Sequence, residues 1–150
     1  MKFRFETVEG YPREHAPAIE SLARTAGMFD GYDLASSMNG RDIVLSCLAY
    51  CEEDLVGFKL GFGERVGYFQ SWMGMVAPTH RRKGLAQELT EAQHSWCLDN
   101  GFHTITAVTT GDNHAMLITN IRAGFNITGT YLDRDVLKVV LQKNLAARAA

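Results

Sequence analysis

Val76-Ala77-Pro78-Thr79-His80-Arg81-Arg82-Lys83-Gly84-Leu85-Ala86 carries three successive cations and a glycine between the end of one regular segment and the start of another. Upstream, Tyr68–Val76 reads as a strand stopped by Pro78, which has no N–H to give to a ladder. Downstream, Gly84–Asn100 reads as a helix. Leu85, Leu89, Ala92 and Trp96 form its apolar stripe, Glu88, Glu91, Ser95 and Asp99 face away, and Gly101 ends it. The N–H groups of a first helical turn have no partner inside the helix and together carry about half a positive charge. Such a turn suits a pyrophosphate. Gly84 lets backbone approach the ligand closely, and Ala86 keeps the next turn uncrowded. On charge alone, a solvated basic helix start is an equal alternative.

The elements around this turn follow from periodicity. Ala16–Ala26 reads as a helix, with Ile19, Leu22, Ala23 and Ala26 at 3–4 spacing and Gly27 as the stop. Phe29–Asn39 is a short helix or a loop. Asp42–Tyr50 and Leu55–Phe62 are strands joined as a hairpin by Cys51-Glu52-Glu53-Asp54. Thr104–Thr110, dominated by β-branched residues, is a strand. Asn113–Ala123 is a helix ending at Gly124, and Ile127–Tyr131 with Val136–Leu141 closes the chain as a hairpin. The predicted order is helix, three antiparallel strands, helix, strand, helix, two strands. This is a mixed α/β fold, one sheet packed by helices.

Length and composition agree with one globular domain over 1–150, with a frayed tail near 146–150. The chain has 46% hydrophobic and 21% charged residues, which excludes a disordered or fibrous protein. A net charge of −2 gives no global attraction to nucleic acid or to an anionic membrane, and the four residues His80–Lys83 are too narrow a basic stripe for nucleic acid. No apolar run approaches the length of a membrane span, and MKFRFETVEGYPREH lacks the pattern of a signal peptide. Cys47, Cys51 and Cys97 form neither a paired framework nor a C-x-x-C unit, which fits idle thiols in a reducing cytoplasm. The five histidines show no ligand spacing, so no metal is expected.

Arg81-x-x-Gly84-x-Ala86, preceded by Val76-x-Pro78, resembles the Q/R-x-x-G-x-G/A signature of the GNAT superfamily of N-acetyltransferases. Asn113-His-Ala-Met116-Leu117, followed by Gly124-Phe125, is similar to the second stretch of that family, and the order of elements fits over roughly residues 2–145. The resemblance implies a mostly antiparallel sheet with one splayed parallel pair, Tyr68–Val76 beside Thr104–Thr110. It implies acetyl-CoA as donor. Arg81, Arg82, Lys83, Gly84, Leu85 and Ala86 would hold the pyrophosphate, and Met75 and Val76 would pair their backbone with the pantetheine arm like an added strand. Asn113 would hydrogen-bond the pantetheine, cap the helix that follows, or do both.

Two positions depart from the family's pattern. Many relatives have a Tyr four residues before the Gly of Gly-Phe, placed to protonate the departing thiolate; here it is Asn120, whose amide donates a hydrogen bond but releases no proton. Tyr131 is a conceivable substitute. The histone-acetylating branch places a Glu six residues before the Val of Val-x-Pro; here it is Gln70, and Tyr68–Val76 contains no carboxylate. Glu53, Asp54, Glu64 and Asp30 remain as bases, beside a water chain or an amine that arrives deprotonated. Gln70 and Trp72 share a strand face with Tyr68, which lines an acceptor cleft or packs under the first helix. No cysteine has a His-paired pattern, so direct attack of an amine in a ternary complex is simpler than an acyl-enzyme. The acceptor is expected to be a small-molecule amine, and a homodimer through an exposed strand edge is possible. The rival reading is a CoA-binding sensor or interaction module with little turnover.

Overall fold

The computed structural model describes residues 2–29 and 33–145. In chain order the elements are β1 (Phe3–Glu9), α1 (Ala16–Arg24), α2 (Leu34–Met38), β2 (Val44–Cys51), β3 (Asp54–Arg65), β4 (Tyr68–Val76) and a 3₁₀ turn over Pro78–His80. Then come α3 (Leu85–Asp99), β5 (Thr104–Thr110), α4 (His114–Arg122), β6 (Asn126–Asp133) and β7 (Val136–Asn144). All seven strands join one sheet in the order β1-β2-β3-β4-β5-β7-β6. Every neighbouring pair is antiparallel except β4–β5, which is parallel. The fold class expected from the sequence is the one observed.

The first strand is a correction, because the predicted order began with a helix. Phe3-Arg-Phe-Glu-Thr-Val-Glu9 pairs along β2 from Phe3 opposite Cys51 to Glu9 opposite Leu45. As an edge strand it keeps much of its surface in water, so its sequence mixes charges with apolar residues and its alternation is weak. The β2–β3 hairpin turns on Glu52-Glu53, with Glu52 in the left-handed region at φ +57°. Helix α1 stops at Arg24, short of Ala26, and Gly27 follows at φ +77°. Among the described residues of the Phe29–Asn39 segment the regular element is α2, whose cap is Asp33 accepting from the Ser36 N–H at 2.8 Å. The expected frayed tail, 146–150, lies outside the described residues, as does Asp30.

Helices cover both faces of the sheet and divide the core in two. Leu89 and Cys97 of α3 pack with Leu45, Cys47, Phe69, Ile105 and Leu141 of the sheet on one face. Ile19 of α1 and Leu34 and Met38 of α2 pack with Leu48, Phe58 and Leu60 of the sheet on the other. Strand β2 sends alternate side chains to each cluster and is therefore apolar along its length, as a strand buried on both faces must be. The α3 face of β3 is Gly57, Lys59, Gly61 and Gly63, and the glycines admit what packs on them. A Cβ on Gly61 would stand 2.3 Å from the Phe69 ring, and one on Gly57 would stand 3.2 Å from Leu89. The buried side of α3 also differs from the expected stripe: Leu85 and Leu89 are buried as predicted, but so are Gln93, His94 and Cys97, while Ala92 and Trp96 are only half-buried.

Candidate active site

The parallel pairing of β4 with β5 runs from Tyr68 opposite Thr104 to Ser71 opposite Ala107 and then stops. On the other edge of β4, Leu60 faces Met73 and Gly61 faces Ser71, so Trp72 is an extra residue, a β-bulge. The bulge bends β4 away from β5 at the residue where their ladder ends. From Trp72 to Val76 the β5-facing edge of β4 has no strand partner among the described residues, and β5 continues along β7 alone.

Into this opening fits a cavity of about 610 Å³, with Trp72–Val76 on one side and Ala107–Thr109 on the other. Helix α3 contributes Leu89, Thr90 and His94 to its wall, and α4 contributes Met116, Thr119 and Asn120, with Asn113 just ahead. A second hollow of about 290 Å³ adjoins it at the start of α3, formed by Val76, His80, Arg81, Arg82, Gly84, Leu85, Ala86 and Gln87. The two share Val76, Arg81 and Ala86.

The local backbone explains the second hollow. Arg82 and Gly84 both take left-handed conformations, at φ +63° and +78°, which folds the loop tightly before α3 begins. Gly84 is the N-cap and offers no side chain to the first-turn N–H groups. A Cβ on Gly84 would meet nothing within 4 Å, so the concavity is open there. Leu85 buries its side chain in the core and leaves only its backbone to the hollow. The Arg81 Nε–H donates to the Val76 carbonyl at 3.4 Å, tying the loop to the strand end. Free first-turn N–H groups beside two arginines could hold an anionic group, and an open strand edge could pair with an extended arm carrying amides. Lys83 belongs to the loop but not to the lining.

The other expected residues divide between the cavity and elsewhere. Met75 and Val76 lie on the open edge, and Asn113 and Asn120 line the cavity. Asn113 is the N-cap of α4, its Oδ1 accepting from the Met116 N–H at 3.2 Å, so the capping role and a place at the cavity hold together. Trp72 also combines its two readings: it lines the cavity and packs its ring against Phe29 at 6.2 Å and Phe62 at 6.4 Å. Gln70 does not reach the lining; it sits half-buried where β4 is still paired on both edges, between Phe62 and Thr106. Tyr131 is exposed on β6, opposite Lys138 and separated from β5 by β7, and so has no place beside the gap. Glu53, Asp54 and Glu64 are exposed and outside the lining, and among the described residues no carboxylate borders the cavity.

Two residues on the wall were not singled out in the sequence. His94 is buried, its ring 6.2 Å from that of Phe125. Lys59 comes from β3, and burial lowers its pKa from the ordinary lysine value. A lone lysine inside Leu55-Val-Gly-Phe-Lys-Leu-Gly-Phe62 was a visible signal, since a charge in an apolar strand costs free energy unless it is used. The buried thiols have the opposite shift: burial pushes Cys47 up to about 11 and Cys97 up to about 12. They stay protonated near neutrality, and neither lines the cavity. Among the described residues no group of His, Cys, Asp or Glu is arranged to hold a metal ion, and no helix is long and apolar enough to cross a membrane.

Known proteins with this architecture share it along nearly their whole length. A GNAT-family protein from Desulfovibrio desulfuricans superposes with a TM-score of 0.79 at 17% identity, covering 96% of this chain and 99% of the other. The ribosomal-protein-S18-alanine N-acetyltransferase of Escherichia coli gives 0.77 at 16% identity, covering 95% and 94%. PaiA N-acetyltransferase from Thermoplasma acidophilum, solved in complex with coenzyme A, gives 0.72 at 14% identity, covering 96% and 99%. No protein with a curated description matches the chain in sequence. At these identities the superpositions speak for the fold, while the sequence itself matches the family model for the acetyltransferase (GNAT) family over residues 9–119. With the splayed strands and the loop before α3 both inside that span, the chain belongs to the GNAT family of acetyltransferases.

Proposed function

We propose that this protein moves an acetyl group from acetyl-CoA to the primary amine of a small acceptor by direct attack within a ternary complex. The observation that carries the reading is the unpaired edge of Trp72–Val76, ending in the loop Arg81–Ala86 at the N-terminus of α3. The donor supplies an activated thioester carbonyl; everything else falls to the chain. Backbone groups of Met75 and Val76 hold the arm as an added strand would. The first-turn N–H groups of α3, with Arg81 and Arg82, neutralise the pyrophosphate. Asn113 caps α4 and presents its amide to the arm. Backbone N–H groups on the free edge near Val76 polarise the carbonyl, and Asn120 stands at the sulfur end. Two buried thiols shifted far above neutrality support a route without an acyl-enzyme.

The rival reading, a CoA-binding module with little turnover, is favoured by the lack of a carboxylate on the cavity wall among the described residues. His94 and Lys59 favour turnover, because they give the same wall two groups able to move protons. Calorimetry with acetyl-CoA, followed by thiol release against a panel of small primary amines, separates the outcomes. Binding with release on at least one amine supports the transferase, and binding with none supports the module. The absence of binding overturns both. A homodimer is also proposed, through the β6 edge, where Ile127, Tyr131 and Leu132 are exposed; sedimentation equilibrium reads it directly.

A further inference from the structure

We propose that Lys59 stands against the sulfur of the bound donor and protonates the departing CoA thiolate, the task left vacant by Asn120; this rests on the acetyl-CoA reading of the same cavity.

The place of Lys59 in the sheet carries the argument. It lies opposite Cys47 on β2 and opposite Gly74 on β4. Gly74 is the middle residue of the open stretch Trp72–Val76. A Cβ there would lie 3.1 Å from the Phe58 carbonyl oxygen, 3.4 Å from Lys59 Cγ and 3.5 Å from its Cα, so the lysine stem runs directly beside Gly74. Lys59 and Asn120 line one cavity, the first from β3 and the second from α4. Among the described residues the Lys59 side chain has no hydrogen bond or ion pair, and no carboxylate shares its wall. An ammonium group held in such a place is stabilised by an anion that arrives with the ligand. Among the described residues, the titratable and charged groups that face it are Cys47 on β2, His94 and Cys97 on α3, and Arg81 at the far end of the cavity; Glu88, Glu91 and Asp99 of α3 are exposed to solvent, and β4 offers none from Ser71 to Val76. Burial brings its pKa down toward that of a thiol, which improves the match for proton transfer.

The step balances. As the amine nitrogen bonds to the carbonyl carbon, the carbon–sulfur bond breaks and its electron pair stays on sulfur. Lys59 gives one proton to that sulfur and becomes neutral. The new amide nitrogen releases one proton to water, and Lys59 regains one from water through the cavity mouth.

The test uses the whole chain and CoA itself, without an acceptor. The ultraviolet absorbance of the CoA thiolate is titrated against pH, with ligand-free protein as the blank. Cys47 and Cys97, pushed up to about 11 and 12, stay silent through the range, and the blank removes Cys51. Wild-type protein should ionise bound CoA about one pH unit or more below free CoA, and Lys59→Met should abolish that shift. Lys59→Arg should keep the shift yet lose about tenfold or more in kcat on any amine accepted by the wild type, because a guanidinium does not release its proton. A wild-type midpoint at or above that of free CoA overturns the proposal without any variant. So does an equal midpoint in Lys59→Met that calorimetry shows to bind CoA, or an unchanged kcat in Lys59→Arg. Failure of the wild type to bind CoA instead overturns the acetyl-CoA reading, and this inference falls with it.

Discussion

Gly84 sits at φ +78° with open space where a side chain would project, at the point where the backbone of the loop turns into α3. Gly84→Asp places both a strained backbone and a negative charge in the hollow proposed to hold the phosphates. Acetyl-CoA affinity should fall at least about tenfold, roughly 1.4 kcal/mol, by calorimetry on folded protein. An unchanged affinity would remove this loop from the site. Asn120 tests the other end of the cavity. Its backbone carbonyl already accepts from the Ala123 and Phe125 N–H groups, which close α4, so a change of side chain leaves the helix end intact. Asn120→Ala should then lower kcat about 10- to 150-fold at saturating acetyl-CoA, the worth of one hydrogen bond to a charged group. Were the side chain idle, alanine would be a good helix former and kcat would stay within about twofold.

At the scale of the element, α4 is the informative helix. It has no fully buried residue and lies over the gap between β4 and β5, so it depends on its ends. Asn113 caps one end, and Gly124 at φ +99° closes the other. The two roles of Asn113 separate by substitution. Asn113→Asp keeps an oxygen for the Met116 N–H but has no amide N–H to offer a ligand; Asn113→Ala loses both. Thermal melts should show alanine destabilised by about 1 kcal/mol and aspartate near wild type. Calorimetry should show weakened acetyl-CoA binding in both. Tight binding by the aspartate variant would reduce Asn113 to a cap.

Across the whole molecule, the charge states of buried groups set the response to alkali. Cys47 and Cys97 have their folded pKa raised from 9.0, so the folded state holds protons that the unfolded chain gives up. Their contribution to stability is complete below about pH 9 and is lost as pH rises toward about 11 and 12. Lys59 works in the opposite sense. Its folded pKa is lowered, so its burial penalty is present at neutral pH and is relieved as pH climbs through the folded value toward 10.5. Replacing Cys47, Cys51 and Cys97 together by alanine should cost about 1 kcal/mol per buried site at pH 7. It should also flatten the alkaline fall in urea-denaturation free energy, while thiol release with a productive amine persists. Capture of an acetylated cysteine that passes its group to an amine would refute direct attack.

The sequence by itself determined the strand, the loop and the helix around Arg81-x-x-Gly84-x-Ala86, because those features are local: a proline stop, a run of cations, a glycine and a 3–4 apolar spacing. The resemblance of Asn113 to Phe125 to the family's second stretch also pointed to two asparagines that line the cavity, Asn113 and Asn120. It did not disclose β1, whose half-exposed edge position dilutes the alternation. Nor did it disclose that Gln70 and Tyr131 stand outside the cavity, or that Lys59 and His94 stand within it. Those outcomes depend on where β4 leaves β5, and that point is set by one bulged residue, Trp72, registered against β3. They depend equally on β7 entering the sheet between β5 and β6. A strand's neighbours are chosen by chain segments far away in sequence, so which side chains share a cavity is decided only when the sheet is assembled.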